Sequence, residues 1–539
     1  MGEEQVFVRK ASGLVRSMSP YSALAYNVLA VGILFPWTYL WGSYAFPGAD
    51  IAVGILLSGA MLIPMWIAFA FLASAMPRSG GDYVFQSRVL GGNIGFVACT
   101  GAFLTWVVQW IPMSGWMVNA TGLAPMFTIM GYQMNNPDLA AIGLWFNTPE
   151  AIIICTVIGT IISALILIRG FGLYVKVQWL LWYAVAAAVA LIIISYATGT
   201  VSGFTANFND YINFMDPGTT NYYDTVIQDA QNAGFNTMPP FSAFGTFAIV
   251  SIAINSLTWA MLSVEQLGEI KGAGTLKNTT FFIVGAGIIA VMAMALIAGL
   301  GNLTAGPEFW YSVAVAEYEG TSAFPVPPYP SMTAPLIFNN PAITFLICFG
   351  FVMNGVAVFF NVLISCTRLF LAMGLDRLFP EWTTRVHKRW HTPVNAYIIF
   401  VVAAAFWTIA YNYIPAVIDA TLSTAAAVTF AFMVTCLAAM LFPYRQRSKP
   451  IYEKSAAARW SVGGIPVVAI LGGIGFFVNL AVLVVYIFVP ALGVASGYSL
   501  TAIVVVYIFW IVYYYFVRWY RMNKQGIDVE LAFKQIPPE

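Results

Sequence analysis

Two stretches of this chain put exposed backbone where an apolar helix should run unbroken. The first is Val31-Gly32-Ile33-Leu34-Phe35-Pro36. Pro36 brings no N–H, its ring meets the carbonyl of Gly32 four residues back, and Gly32 adds backbone freedom. The second is Asn255-Ser256-Leu257-Thr258-Trp259. There, short polar side chains that can bond the backbone compete with the helix. An unpaired amide or carbonyl is costly in lipid, so a broken helix persists only where it lines a cavity. Breaks of this kind offer donors and acceptors to a polar solute. Plainer readings stand beside both: a proline kink at the first, hydroxyls bonded back to their own helix at the second.

Composition explains why backbone must do this work. The chain is 60% hydrophobic and 8% charged, against about 25% charged in an average soluble domain. It reads as an all-α polytopic membrane protein. A crossing helix takes about 20 apolar residues, which places twelve spans near 23–44, 51–75, 94–119, 151–168, 175–198, 244–268, 280–303, 342–368, 394–415, 418–441, 463–489 and 499–518. Side-chain charge is nearly absent at mid-depth. Glu265 and Arg368 lie near inner ends of spans, and Asp419 near an outer end.

With this division all 23 lysines and arginines fall on one side. They occupy the amino-terminal tail (Arg9, Lys10, Arg16), the connections after even-numbered spans, such as Arg78 and Arg88 after span 2, and the carboxyl tail. Cytoplasmic loops retain such residues, so both termini are expected in the cytoplasm, with span 1 kept as an uncleaved anchor. The outer connections 120–150, 199–243 and 304–341 are long, aromatic and acidic. They read equally as a cap over the outer mouth or as a solvated surface. Asn119 and Asn302 fall in outer N-x-T sequons.

Several function classes lose support. The cysteines (Cys99, Cys155, Cys348, Cys366, Cys436) form no metal-like pair and read as packing residues. The histidines, His387 and His391, sit in a basic loop, so no haem, metal or other cofactor is expected. A net charge of +1 points to no nucleic-acid partner. No Ser–His arrangement and no paired carboxylates suggest an intramembrane enzyme. No repeated loop suggests a channel filter.

Interruptions in the first and sixth spans suit two five-span repeats. Because five is odd, the second repeat starts from the opposite face. The organisation expected is a tail (1–22), a first repeat (23–198), an outer loop (199–243), a second repeat (244–441), an inner loop (442–462), spans 11 and 12 (463–521) and a tail (522–539).

Three inner segments then become recognisable: Met76-Pro77-Arg78-Ser79-Gly80-Gly81-Asp82-Tyr83; Glu265-Gln266-Leu267-Gly268-Glu269-Ile270-Lys271; and Arg368 to Met373 with Asp376 to Pro380 and Thr392-Pro393-Val394-Asn395. Together they resemble the amino acid–polyamine–organocation permeases. The resemblance implies alternating-access transport of an amino acid or related amine across the cell membrane, and elimination of a sodium site leaves proton symport or exchange as the favoured mode. It implies a site built from Gly32, Ile33 and Leu34 of span 1 and from Asn255, Ser256, Leu257, Thr258 and Trp259 of span 6. Their amides and carbonyls would hold carboxylate and ammonium, since helix amino ends attract anions and carboxyl ends attract cations. Spans 3, 8 and 10 would line the cavity, with Gln109 and Asn354 favoured among Trp106, Trp110, Asn361, Thr421, Ser423 and Thr424. Interhelical bonding competes for the amides.

The chain departs from the family in three places. Gly32 is followed by Pro36, not by closely spaced glycines. Thr258-Trp259-Ala260 stands where many members have Gly-Phe-Glu. Ala357 to Asn361 lacks the Ser/Thr pair of sodium-coupled relatives. Low cavity charge favours a neutral or aromatic substrate. Lys176 at the start of span 5 reads either as a cation swinging toward spans 1 and 8 or as a snorkelling surface lysine. A non-transporting subunit or sensor on a permease fold is the alternative.

Overall fold

In the computed structural model the described residues are 13–34, 37–415, 417, 423–494 and 497–536. Phe35, Pro36, Asp419 and Thr421, with Arg9 and Lys10, lie outside them, as does the side chain of Ser423.

Span 1 is two helices, Pro20–Val31 and Trp37–Ala45. The first opens on Ser19, whose hydroxyl accepts the Ser22 N–H at 3.1 Å. It stops at Gly32, which adopts φ 64° and ψ 60°. Glycine reaches that left-handed conformation without a Cβ penalty and so ends helices. Among the described residues a further 11 helices are long and apolar enough to cross a membrane. With the broken first span, these make the twelve crossings expected.

Span 3 departs from expectation. It runs Gly92–Gln133 and takes residues 120–133 from the supposed outer connection. It is wound as π-helix over Thr100–Trp106 and Asn119–Leu123, with a 3-10 turn at Val107–Gln109 between. Asn119, read as an outer sequon, is buried and donates its amide to the Gly115 carbonyl at 2.8 Å. An apolar run with internal glycines gave no sign that the helix would continue past the membrane thickness.

Span 6 is α-helical over Ala243–Ala248 and Val250–Leu257, then 3-10 over Thr258–Glu265 and Leu267–Glu269. Its interruption is thus a change of winding, not a gap. The Thr258 hydroxyl donates to the Ile254 carbonyl at 2.6 Å, the local bond that a buried hydroxyl commonly makes. A 3-10 run of 8 residues is long against the usual 3 to 4 or so, and such stretches mark hinges or strain.

Lipid tails are as apolar as leucine, so helices associate through close packing of small residues. A Cβ on Gly287 of span 7 would lie 2.5 Å from the Trp66 ring of span 2, and one on Gly350 of span 8 would lie 2.1 Å from Ala188 of span 5. The long acidic connections fold into helices, Val201–Met215, Tyr222–Asn232, Pro307–Glu319 and Pro330–Phe338. Tyr223 stacks on Phe309 with centroids 4.5 Å apart and donates its hydroxyl to the Ala305 carbonyl at 2.7 Å. Glu308 accepts from the Thr237 hydroxyl at 2.6 Å. These connections are thus helical and packed against one another instead of being irregular loops.

Candidate functional site

A small cavity of about 30 Å³ lies where spans 1, 3, 6 and 8 meet. Gly32 reaches it from span 1, Trp110 from span 3, Asn255, Ser256 and Trp259 from span 6, and Asn361 and Ser365 from span 8. Valines, Leu262 and Met117 complete an apolar wall. Among the described residues no ionisable side chain lines it. The indole of Trp259 meets Trp110 edge-to-face at 5.9 Å, Phe432 at 6.0 Å and Phe103 at 6.5 Å. Such geometry suits aromatic quadrupoles and fixes the ring in place.

The expected residues divide. Gly32, Asn255, Ser256 and Trp259 share the cavity wall. Ile33, Leu34, Leu257 and Thr258 are buried behind it and are not among its lining residues. The Ile33 carbonyl already accepts the Tyr39 hydroxyl at 2.8 Å, and Thr258 is engaged with its own helix. Gln109 bonds the Thr424 hydroxyl across to span 10 instead of lining the cavity. Asn354 is fully buried away from the lining. One stripe of span 8 carries Asn354, Asn361, Ser365 and Arg368, and it is Asn361 and Ser365 that face the space. That stripe, read at helical spacing, was the signal available for them. Asn255 is also held from outside, by the Tyr486 hydroxyl of span 11 at 3.1 Å. Lys176 is exposed, which answers to the surface reading and not to a cation among the spans.

Below the cavity, the end of the bundle that carries the lysines and arginines is shut by a backbone clasp. The Gly80 N–H donates to the Glu265 carbonyl at 2.7 Å, and Met18 and Glu269 join at 3.0 Å. A Cβ on Gly81 would sit 2.4 Å from the Val264 carbonyl oxygen, so only glycine allows this approach. Asn27 of span 1 ties spans 6 and 7, accepting from the Ser263 N–H at 2.8 Å and donating to the Phe282 carbonyl at 2.7 Å.

Two buried ion pairs reinforce the clasp. Arg368 grips Glu269 through both carboxylate oxygens, at 2.7 and 2.9 Å, and donates to the Tyr397 hydroxyl at 2.7 Å. Arg88 grips Asp376 at 2.6 and 3.0 Å, and Tyr83 donates to the same carboxylate at 2.7 Å. The three inner segments, distant in sequence, are therefore one structure.

A third acid contact has no cation paired with it among the described residues. Asp82 and Glu265 are 1% and 0% exposed, and their carboxyl groups lie within hydrogen-bonding reach of each other. Asp82 accepts from the Thr435 hydroxyl at 2.5 Å. Among the described residues neither oxygen of Glu265 meets an N–H or O–H donor in bonding geometry. Burial pushes the Asp82 carboxyl up to about 6, against the opposing pull of its bonds to Glu265 and Thr435. The expectation of no paired carboxylates is corrected here: the pair forms between segments that the sequence keeps far apart.

A sequence model of the family described as Amino acid permease matches residues 19–512. The chain belongs to the amino acid permease family. The match covers the broken span, the cavity and all three inner segments of this permease. The resemblance read from those segments is thereby borne out, as is the all-α polytopic fold. No curated protein matches the chain in sequence. Among the described residues no group of histidine, cysteine and acidic side chains is arranged to hold a metal ion.

Proposed function

We propose that this permease is a secondary transporter that carries a neutral or aromatic amino acid, or a related amine, by alternating access. The observation that carries the reading is the meeting of the Gly32 break with Asn255, Ser256 and Trp259 around a cavity without ionisable side chains. The carboxyl end of the Pro20–Val31 helix favours an ammonium. The Ser256 hydroxyl and the Asn361 amide can donate to a carboxylate, and the aromatic wall suits an apolar side chain. Gly32, Asn255, Ser256, Trp259, Asn361 and Ser365 form the substrate site. The repeats 23–198 and 244–441 rock about it. The basic end faces the cytoplasm of a cell-membrane protein, as the retention of lysine and arginine directs.

Thermal stabilisation of the purified protein across the common amino acids, polyamines and amines tests this, because a ligand of the native state raises its melting point by mass action. The expected result is a shift with one chemical group that Ser256→Ala or Asn361→Ala removes. No shift with any of them would move the weight to a non-transporting subunit.

A further inference from the structure

The strongest unexplained feature is the acid pair at the closed basic end. Two carboxylates cannot both stay ionised in contact inside a protein, since their repulsion there is far less screened than in water. A neighbouring cation would relieve this, but the two buried arginines nearby are each committed to another acid, Arg88 to Asp376 and Arg368 to Glu269. The titratable groups that face the pair are Tyr26 from span 1, Cys99 from span 3, Cys366 from span 8 and Cys436 from span 10. None of them brings positive charge. Among the described residues the one hydroxyl donor bonded to the pair is Thr435, and it serves Asp82. Glu265, with no donor on either oxygen, is placed as a carboxylic acid that donates to Asp82.

The position of the pair couples this proton to movement. Glu265 ends the 3-10 segment whose carbonyl is clasped by Gly80, and Asp82 opens the helix that follows Gly80. Burial of the two acids and closure of the basic end are one event. Toward the cavity, Leu262 and Ser365 line its floor. Leu262 is one 3-10 turn from Glu265, and Ser365 precedes Cys366, whose thiol lies within electrostatic range of Glu265. The pair thus lies between the cavity floor and the basic end.

We infer that Asp82 and Glu265 share one proton while the basic end is closed and release it there on opening, which makes the pair the site of proton coupling in the transport cycle. On release the Glu265 O–H bond breaks, the proton passes to water, and the pair changes from one negative charge to two. Recharging is by a proton arriving through the cavity when the opposite end is open. The inference rests on the transporter reading for its coupling role, but the shared proton stands without it. It also supplies an acid that the Thr258-Trp259-Ala260 segment lacks.

Infrared difference spectra across a pH titration of the purified protein test the proton directly, with no substrate needed. The carbonyl stretch of a buried, protonated carboxylic acid is expected in the wild type and lost in the double variant Asp82→Asn with Glu265→Gln. Spectra that are the same in both proteins would overturn the shared proton. Glu265→Gln alone, nearly the same shape as glutamate, then tests coupling in proteoliposomes with radiolabelled L-phenylalanine as the probe. Counterflow is expected to continue while accumulation driven by a pH gradient is lost. Gradient-driven accumulation equal to wild type would sink the coupling role and leave transport standing. Absence of all phenylalanine movement in the wild type counts against the substrate reading, while the infrared outcome still decides the proton.

Discussion

The main-chain N–H of Gly80 donates to the carbonyl of Glu265 at 2.7 Å, and that single bond brings a turn after span 2 against the end of span 6. It also sets the Glu265 side chain beside Asp82. A raised carboxyl in the closed form has a defined consequence for pH. Asp82 is held up to about 6 by burial, against about 3.9 for a free aspartate. Between those values the closed form binds more protons than an open, wetted one. Closure is therefore fully favoured below the lower value and weakens as pH rises through about 6. Hydrogen exchange at the Gly80 amide, corrected for its intrinsic rate, is expected to speed up across that window. In the double variant Asp82→Asn with Glu265→Gln, which removes both titrating groups, the corrected rate should be flat. A flat profile in the wild type would show that the carboxyl does not govern the clasp.

Gly81 makes the same closure testable by sterics alone. Its Cβ, if present, would lie 2.4 Å from the Val264 carbonyl oxygen, and main chain cannot step aside as a flexible side chain can. Gly81→Ala should cost the closed form about 1–3 kcal/mol, the usual range for overpacking. Reactivity of a cysteine placed at Leu262, on the cavity floor, toward a reagent added from the basic side should rise accordingly. Unchanged reactivity would mean that the clasp is not the barrier.

The Arg368–Glu269 pair is buried on both sides of the bond. Removing one partner leaves an uncompensated charge, at a cost of about 3–5 kcal/mol, whereas replacing both with apolar residues of similar volume is often close to neutral. Glu269→Gln is expected to lower the melting temperature sharply, and Arg368→Met with Glu269→Leu to recover most of the loss. If the double variant melts no higher than the single one, the pair has a structural role beyond its own charge balance.

Much of this arrangement was legible in the residues. The distribution of basic side chains fixed the crossings because charge is expensive to move through lipid, and Gly32 marked the first break because a left-handed residue there must be glycine or pay for its Cβ. The site was legible only in part. Gln109 and Asn354 were the favoured amides, yet Gln109 turns to Thr424 and Asn354 is enclosed. Helical spacing places residues on a stripe but does not say which turn of the stripe meets the cavity. The break in span 6 reads as polar clustering, whereas the chain changes winding at Thr258 and bonds that hydroxyl to Ile254. The Asp82–Glu265 contact joins residues separated by four spans, and nothing local announces it. Span 3 ran on to Gln133 because hydropathy measures the membrane and not the helix.

Trp259 should govern the preference for aromatic side chains. It meets three rings, Trp110, Phe432 and Phe103, and edge-to-face contacts are worth about 0.5–1.5 kcal/mol each beyond burial. Trp259→Ala is expected to weaken binding of L-phenylalanine by roughly tenfold or more, about 1.4 kcal/mol, and of L-alanine by much less. Competition between the two ligands in the thermal-shift assay measures the ratio. Equal losses for both would assign the ring to packing.

The two asparagines of span 8 offer a controlled contrast. Neither amide atom of Asn354 or of Asn361 has a hydrogen-bond partner among the described residues, but only Asn361 faces the cavity. A buried amide left unsatisfied costs about 1–3 kcal/mol, so Asn354→Leu should leave the melting temperature unchanged or raise it, with binding intact. Asn361→Leu should give the same gain in the unliganded protein and lose the ligand-induced shift, because the amide that the ligand satisfies is gone. The stability of the free protein and the ligand shift are read in the same melting experiment. A ligand shift lost in Asn354→Leu and kept in Asn361→Leu would exchange their roles and move the site one helical stretch toward the acidic end.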